Sequence, residues 1–179
     1  MTTDIANCLF TCRGDQMSVV YMCHDYLAAQ ITSKQMQVFS SVKARELLAG
    51  RWTAHYSKDA PNVVAMCQLT NGISNWVKES VLTEPEPKDR GQVIETWILI
   101  AQHMFQLSNV DGLVAVTSGL DDTSVLRLKQ SWDAVSVQAK ESFCSLRRIV
   151  DPSENRKTLR APFSSSPTPR LVSEPTSLR

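Results

Sequence analysis

Glycine is scarce in this chain, six residues in 179. That scarcity argues against a glycine-looped nucleotide-binding α/β fold and against an all-β sandwich, both of which use glycine to turn the backbone tightly. Neither G-x-G-x-x-G nor a Walker pattern occurs. An excess of charge is also missing: 19 Lys and Arg stand against 18 Asp and Glu, a net charge of +1. No global field is there to recruit nucleic acid or an anionic membrane. Long apolar runs are absent too. None exceeds the length of Trp97 to Ala101, far short of the roughly 20 residues that cross a bilayer. Met1 to Phe10 includes Asp4 and Asn7 and lacks a basic start followed by an apolar stretch, so no secretion signal is read there. The five cysteines, at 8, 12, 23, 67 and 144, are an odd number without knuckle spacing. Reduced thiols in a cytoplasmic protein are the simpler expectation.

What the chain does have is helical periodicity. Apolar residues make up 42% and charged residues 21%, near globular averages and enough to build a core. Residues 1–24 read as a short N-terminal extension, residues 25–160 as the folded domain, and residues 161–179 as a disordered Ser/Pro-rich tail holding four of the eight prolines. Pro61 and Asn62 open a helix whose stripe runs Val63, Met66, Thr70, Ile73, Val77 and Val81. The Asn71-Gly72 pair alone suggests a hairpin turn. The stripe keeps its phase across the pair, so a continuous helix is expected. Pro85 and Pro87 break the chain, and the next helix runs from near Lys88 to Leu107. Its centre is apolar nearly all round, the mark of a buried middle helix. Asn109 or Asp111 can cap a third helix, which Gly119 ends. Asp121, Asp122 and Thr123 start a fourth, and Ser136 a fifth with Phe143, Leu146, Ile149 and Val150 inward. Upstream, Leu27, Ala28 and Ile31 suggest one short helix, Met36 and Phe39 a second, and Ala44, Leu47 and Leu48 a third. The class expected is all-α, with short connections and mostly antiparallel neighbours.

Residues that could carry covalent chemistry are few. His103 lies in the most apolar helix. It is either a general base or, as expected here, a core histidine with a backbone partner. Cys8, Cys12, Cys23 and His24 lack the spacing of a zinc knuckle and read as unliganded thiols and a free imidazole. Arg13-Gly14-Asp15 spells an adhesion tripeptide and carries no weight without a secretion signal. Asp121-Asp122 reads as helix-start acids rather than a metal or acid/base pair. Arg147, Arg148, Arg156, Lys157 and Arg160 cluster, but Asp151 and Glu154 interrupt them, so a solvated face is expected rather than a nucleic-acid patch. No catalytic residue, metal or cofactor is expected.

Several segments, in order, resemble the catalytic domain of guanine-nucleotide exchange factors for Ras-family GTPases, the RasGEF domain. The clearest is LSNVDGLVAVTSGLDDTSVLRLKQSW, residues 107–132. LAAQITSKQMQVFSSVKARELLAGRW (27–52), APNVVAMCQLTNGISNWVKESVL (60–82), RGQVIETWILIAQHMFQL (90–107) and IVDPSENRKTLR (149–160) are also similar to it. The resemblance implies an all-helical domain that binds a Ras-family small GTPase (Ras, Rap or Ral) and promotes GDP release without covalent chemistry. It implies no nucleic-acid partner, no direct membrane insertion, and a cytoplasmic protein recruited to membranes through the GTPase.

By the same resemblance, Gln68 and Asn71 face the GTPase, with Ser108 and Asn109 at the neighbouring turn; plain surface or helix capping is the other reading for Gln68, Asn71 and Ser108. Asn109 has a second reading as a helix cap, and that reading is preferred. Ser108 stands where relatives often have Asn, and Arg156 and Leu159 where aromatics are common. The resemblance ends near Arg160, before the helical hairpin with which members open the nucleotide site. An incomplete domain is therefore expected, with a non-catalytic GTPase-binding or scaffold form as the rival reading. A domain cut there is also expected to leave the apolar centre Trp97 to Ala101 partly uncovered and the isolated chain poorly soluble. A small helical enzyme built around His103 is the remaining alternative.

Overall fold

The computed structural model describes residues 19–50 and 59–151. A 3-10 turn at Val19–Tyr21 leads into α1, His24–Ser40, and a second 3-10 turn at Ala44–Gly50 precedes α2, Pro61–Thr83. There follow α3 (Pro87–Gln106), α4 (Val110–Leu120), α5 (Thr123–Leu126), α6 (Lys129–Ala134) and α7 (Val137–Val150). No strand occurs among the described residues, so the all-α expectation holds.

The middle helix α3 packs against α1, α2, α4, α6, α7 and the first 3-10 turn. This explains why its sequence is apolar nearly all round: Trp97, Ile98 and Ile100 are 0% exposed and Ala101 is 1%. Against the expectation of a partly uncovered centre, six elements cover most of it, and within Trp97 to Ala101 Leu99 alone stays partly exposed. Its one bulky polar group is matched as well. The Trp97 indole N–H donates to Ser80 Oγ at 2.8 Å, and the ring meets Trp76 edge-on, centroids 5.0 Å apart. Arg90, in the first turn of α3, holds the proline-broken connection. Its guanidinium donates to the carbonyls of Glu84 and Pro85 at 2.8 and 2.9 Å and to Ser131 Oγ of α6 at 2.9 Å.

Pro61 and Pro87 each stand in the first turn of a helix, where the missing N–H has no intrahelical partner to lose. The helix α2 is continuous through Asn71-Gly72. Three local readings change. Leu27 to Phe39 is one helix, not two. Gly119 does not end α4; it lies buried within it, and Leu120 follows before the cap at Asp121. The region Ala44–Gly50 is turned inside out relative to its apolar pattern: Leu47 and Leu48 are 56% and 64% exposed, while Glu46 is 1% exposed.

Both of the last two have a packing cause. Consecutive long helices fold back on one another, so α2 and α4 run in the same sense, Thr70 beside Asp111 and Val77 beside Gly119, and share the most extensive helix–helix contact. At their contact a Cβ on residue 119 would lie 2.8 Å from the Ser74 carbonyl oxygen and 2.8 Å from Val77 Cβ. Glu46 is drawn inward because α2 lacks a capping side chain of its own: its N-cap is Ala60. The Glu46 carboxylate takes that place, accepting from the Asn62 N–H at 2.9 Å, the Val63 N–H at 3.3 Å and Asn62 Nδ2 at 2.7 Å. The orphan donors of a helix N-terminus and its partial positive charge both favour an anion there. Burial pushes the Glu46 carboxyl up, but these hydrogen bonds outweigh it and its pKa falls below the ordinary value.

Two outcomes follow. Gly119→Ala should lower stability by roughly 1–3 kcal/mol through overpacking, although alanine by itself favours a helix over glycine by about 1 kcal/mol; thermal unfolding reads the sign. Because the folded-state pKa of Glu46 is lowered, its stabilisation is complete above the ordinary value of 4.5 and lost as pH falls through the folded value. Glu46→Gln should therefore melt below the unsubstituted protein at neutral pH, and the gap should close on acidification below pH 4.5.

Candidate functional site

The turn between α3 and α4 is built by two overlapping caps. At the end of α3 the Ser108 N–H donates to the Phe105 carbonyl at 3.0 Å and the Asn109 N–H reaches back to the Met104 carbonyl at 2.8 Å. This is the paired bonding of a Schellman motif, whose hinge residue takes a left-handed conformation. Here that residue is Ser108, with φ 57°. Asn109 then caps α4: its Oδ1 accepts from the Gly112 N–H at 2.9 Å. One residue thus closes one helix and opens the next.

Asn109 also looks inward. Its Nδ2 donates to Thr32 Oγ1 at 2.9 Å and to Gln35 Oε1 at 2.8 Å, both on α1. The Thr32 hydroxyl donates in turn to the Ala28 carbonyl at 2.7 Å. The other end of the Gln35 amide, Nε2, donates to Asp111 Oδ2. The same Asp111 oxygen accepts from Thr70 Oγ1 of α2 at 2.7 Å. Three helices are therefore joined by one directional chain of polar groups. Gln35 and Asn109 are 0% exposed, and each of their polar atoms in the chain has a partner, as burial requires. Burial raises the Asp111 pKa, and the bonds from Thr70 and Gln35 offset only part of that rise.

Around this chain the residues singled out from the sequence separate into two groups. Gln68 and Asn71 are exposed on α2, one helical step apart and flanking Thr70. Ser108 is partly exposed, three residues before Asp111. The Thr70–Asp111 bond thus brings the start of α4 against the stretch of α2 that carries Gln68 and Asn71. Asn109 is different. Its side chain is wholly buried and consumed in capping and in the α1 contacts, so it presents no surface, and the capping reading is the one that stands. Thr32, Gln35 and Thr70 were not anticipated. The sequence signal that could have found the first two is two polar residues, three apart, on the inward stripe of α1 that also carries Ala28 and Ile31.

The remaining candidates carry little. His103 is half-buried in the last turn of α3, at the rim of the core rather than inside it. Cys23 Sγ donates to Asp25 Oδ1 at 2.7 Å; Cys8, Cys12 and the Arg13-Gly14-Asp15 tripeptide lie outside the described residues, as do Arg156, Leu159 and the Ser/Pro-rich tail. No group of three or more His, Cys, Asp or Glu placed to hold a metal occurs among the described residues, and no helix among them is long and apolar enough to cross a membrane. Asp122 caps α5, accepting from the Ser124 N–H at 2.9 Å, which agrees with its reading as a helix-start acid.

The left-handed φ of Ser108 is unfavourable for a residue with a Cβ, and least so for Gly and Asn. Ser108→Gly or Ser108→Asn should raise stability by roughly 0.5–1 kcal/mol, measured by denaturant unfolding.

With this geometry in hand, comparison with known proteins is informative. The family model for the RasGEF domain matches residues 26–174. Ras guanine nucleotide exchange factor M of Dictyostelium discoideum is 35% identical over 147 residues, covering 81% of this chain and 16% of that protein. The Ras-specific guanine nucleotide-releasing factors RalGPS1 of Gallus gallus and RalGPS2 of Homo sapiens are each 34% identical over 140 residues, 77% of this chain and 24% of theirs. The chain thus spans between a sixth and a quarter of the length of these curated relatives. The match runs through α2, which carries Gln68 and Asn71, and through the Ser108 turn, and on this ground the chain belongs to the RasGEF domain family.

Proposed function

We propose that this chain engages a Ras-family small GTPase and promotes release of its bound GDP; its relatives are named Ras guanine nucleotide exchange factors or Ras-specific guanine nucleotide-releasing factors. The observation that carries the reading is the match over residues 26–174 to exchange-factor domains, combined with an exposed polar stripe on α2 braced from beneath. Gln68 and Asn71 are the contact residues, with Ser108 at the edge of the same surface. Asn109 contributes by shaping the turn, since its side chain is buried. No bond in the nucleotide is made or broken. The work is differential binding: a factor that held the GDP-bound and empty GTPase equally well would shift nothing, so the empty state must be bound more tightly. The same reading puts the protein in the cytoplasm, brought to membranes through the GTPase.

Ras, Rap and Ral, each loaded with a fluorescent GDP analogue, test this. At least one should release the analogue faster when the purified chain is added. Changing Gln68 and Asn71 together to Ala should reduce that acceleration roughly ten-fold, a loss of about 1.4 kcal/mol of transition-state binding. Binding without faster release would leave a GTPase-docking module in place of an exchange factor. No binding to any of the three would remove both readings.

A further inference from the structure

Asp111 does a job that its own helix does not require. The N-cap of α4 is already supplied by Asn109, and an acid in the first turn of a helix gains from the dipole while fully solvated. Yet the Asp111 carboxylate is directed across the interface, where one oxygen accepts from Thr70 of α2 and Gln35 of α1. Burial works against its charge there. Gln35 has no surface at all, being 0% exposed, and its amide is oriented by Asn109 on one side and Asp111 on the other. What this arrangement secures is register: Thr70 sits between Gln68 and Asn71, and Asp111 sits one turn beyond Ser108.

We infer that Asp111, backed by Gln35, is a positioning residue that locks the exposed Gln68–Asn71 turn of α2 to the Ser108 turn, so that the two present one surface to the GTPase. The inference rests on the proposed GTPase engagement for its consequence but not for its geometry, and the two are separable by experiment. Asp111 touches no partner in this account. It acts through Thr70. The hydroxyl of Thr70 has one proton and two acceptors in reach, Asp111 Oδ2 at 2.7 Å and the Met66 carbonyl at 3.0 Å. Without the carboxylate it turns back onto its own helix, and the tie to α4 is lost.

Three variants of the full chain decide this: Asp111→Ala, Thr70→Val and Asp111→Asn. Asparagine keeps an oxygen that can accept from both Thr70 and Gln35, and it removes the buried charge. Amide hydrogen exchange in the free protein reads the lock directly. Exchange over residues 66–72 and 107–113 should quicken in Asp111→Ala and in Thr70→Val, and stay at the unsubstituted rate in Asp111→Asn. Affinity for nucleotide-free GTPase should fall roughly ten-fold in each of the first two, fall no further when they are combined, and return in Asp111→Asn. A residue that merely held the fold together would lower the melting temperature and leave the affinity of the folded fraction unchanged. Unchanged exchange in a folded Asp111→Ala overturns the inference, as does an additive loss in the double variant. Should the unsubstituted chain bind none of the GTPases, the functional reading falls, and the exchange data still decide whether the lock exists.

Discussion

One helix, buried over most of its circumference at its centre, governs this structure. Because α3 is enclosed by six other elements, every group it carries inward must be either apolar or partnered. Its sequence meets that demand with Val93, Ile94, Ile98, Ile100 and Met104, all 0–1% exposed, and with a tryptophan whose single polar atom finds Ser80. Burial of this order supplies the main driving force for folding, roughly 25 cal/mol per Å² of apolar surface. It also fixes the relation of α2 and α4. Each folds back on α3, so they lie side by side in the same sense, close enough at Gly119 that no side chain fits between them.

Helix ends are the second theme. A core this crowded leaves helix N-termini partly enclosed, where their free N–H groups need acceptors. Two of those acceptors come from far along the chain. Glu46 serves α2. Glu95, on α3, serves the start of α7, accepting from the Ser136 N–H at 3.3 Å and its hydroxyl at 2.7 Å, while Ser136 itself caps the helix locally. Asn109 combines the two modes, capping α4 locally and bonding α1 remotely. The surface ion pairs, Lys78–Asp122 at 3.5 Å and Arg147–Asp121 at 2.8 Å, are exposed to solvent and of the kind that adds little.

The same polar chain links architecture to function. On the proposed GTPase engagement, contact groups already held in register would spare the ordering cost that a mobile patch meets on binding. Gln68 and Asn71 stand on α2 and Ser108 on the turn before α4, and the Thr70–Asp111 bond is a polar tie between those elements beneath them. The left-handed Ser108 at the joint is the kind of local strain that a well-packed surrounding can sustain.

Much of this was legible in the residues. Periodicity alone located α2, α3, α4 and α7, because an amphipathic or fully buried helix writes its environment into its own 3.6-residue pattern. Pro61, Asn109 and Ser136 marked helix starts for reasons confined to a single turn of backbone. The ordered run of segments sufficed for family membership. Three things lay beyond local reading: the inward Glu46 beneath two outward leucines, Gly119 as a contact rather than a stop, and the chain from Thr32 through Gln35 and Asp111 to Thr70. In each, the deciding partner is far away in sequence, 16 residues for Glu46 and Asn62 and 76 for Gln35 and Asp111. A helix's sequence determines that it forms and which face is buried. Which polar group on that face is answered, and by what, is decided only when the helices are packed together.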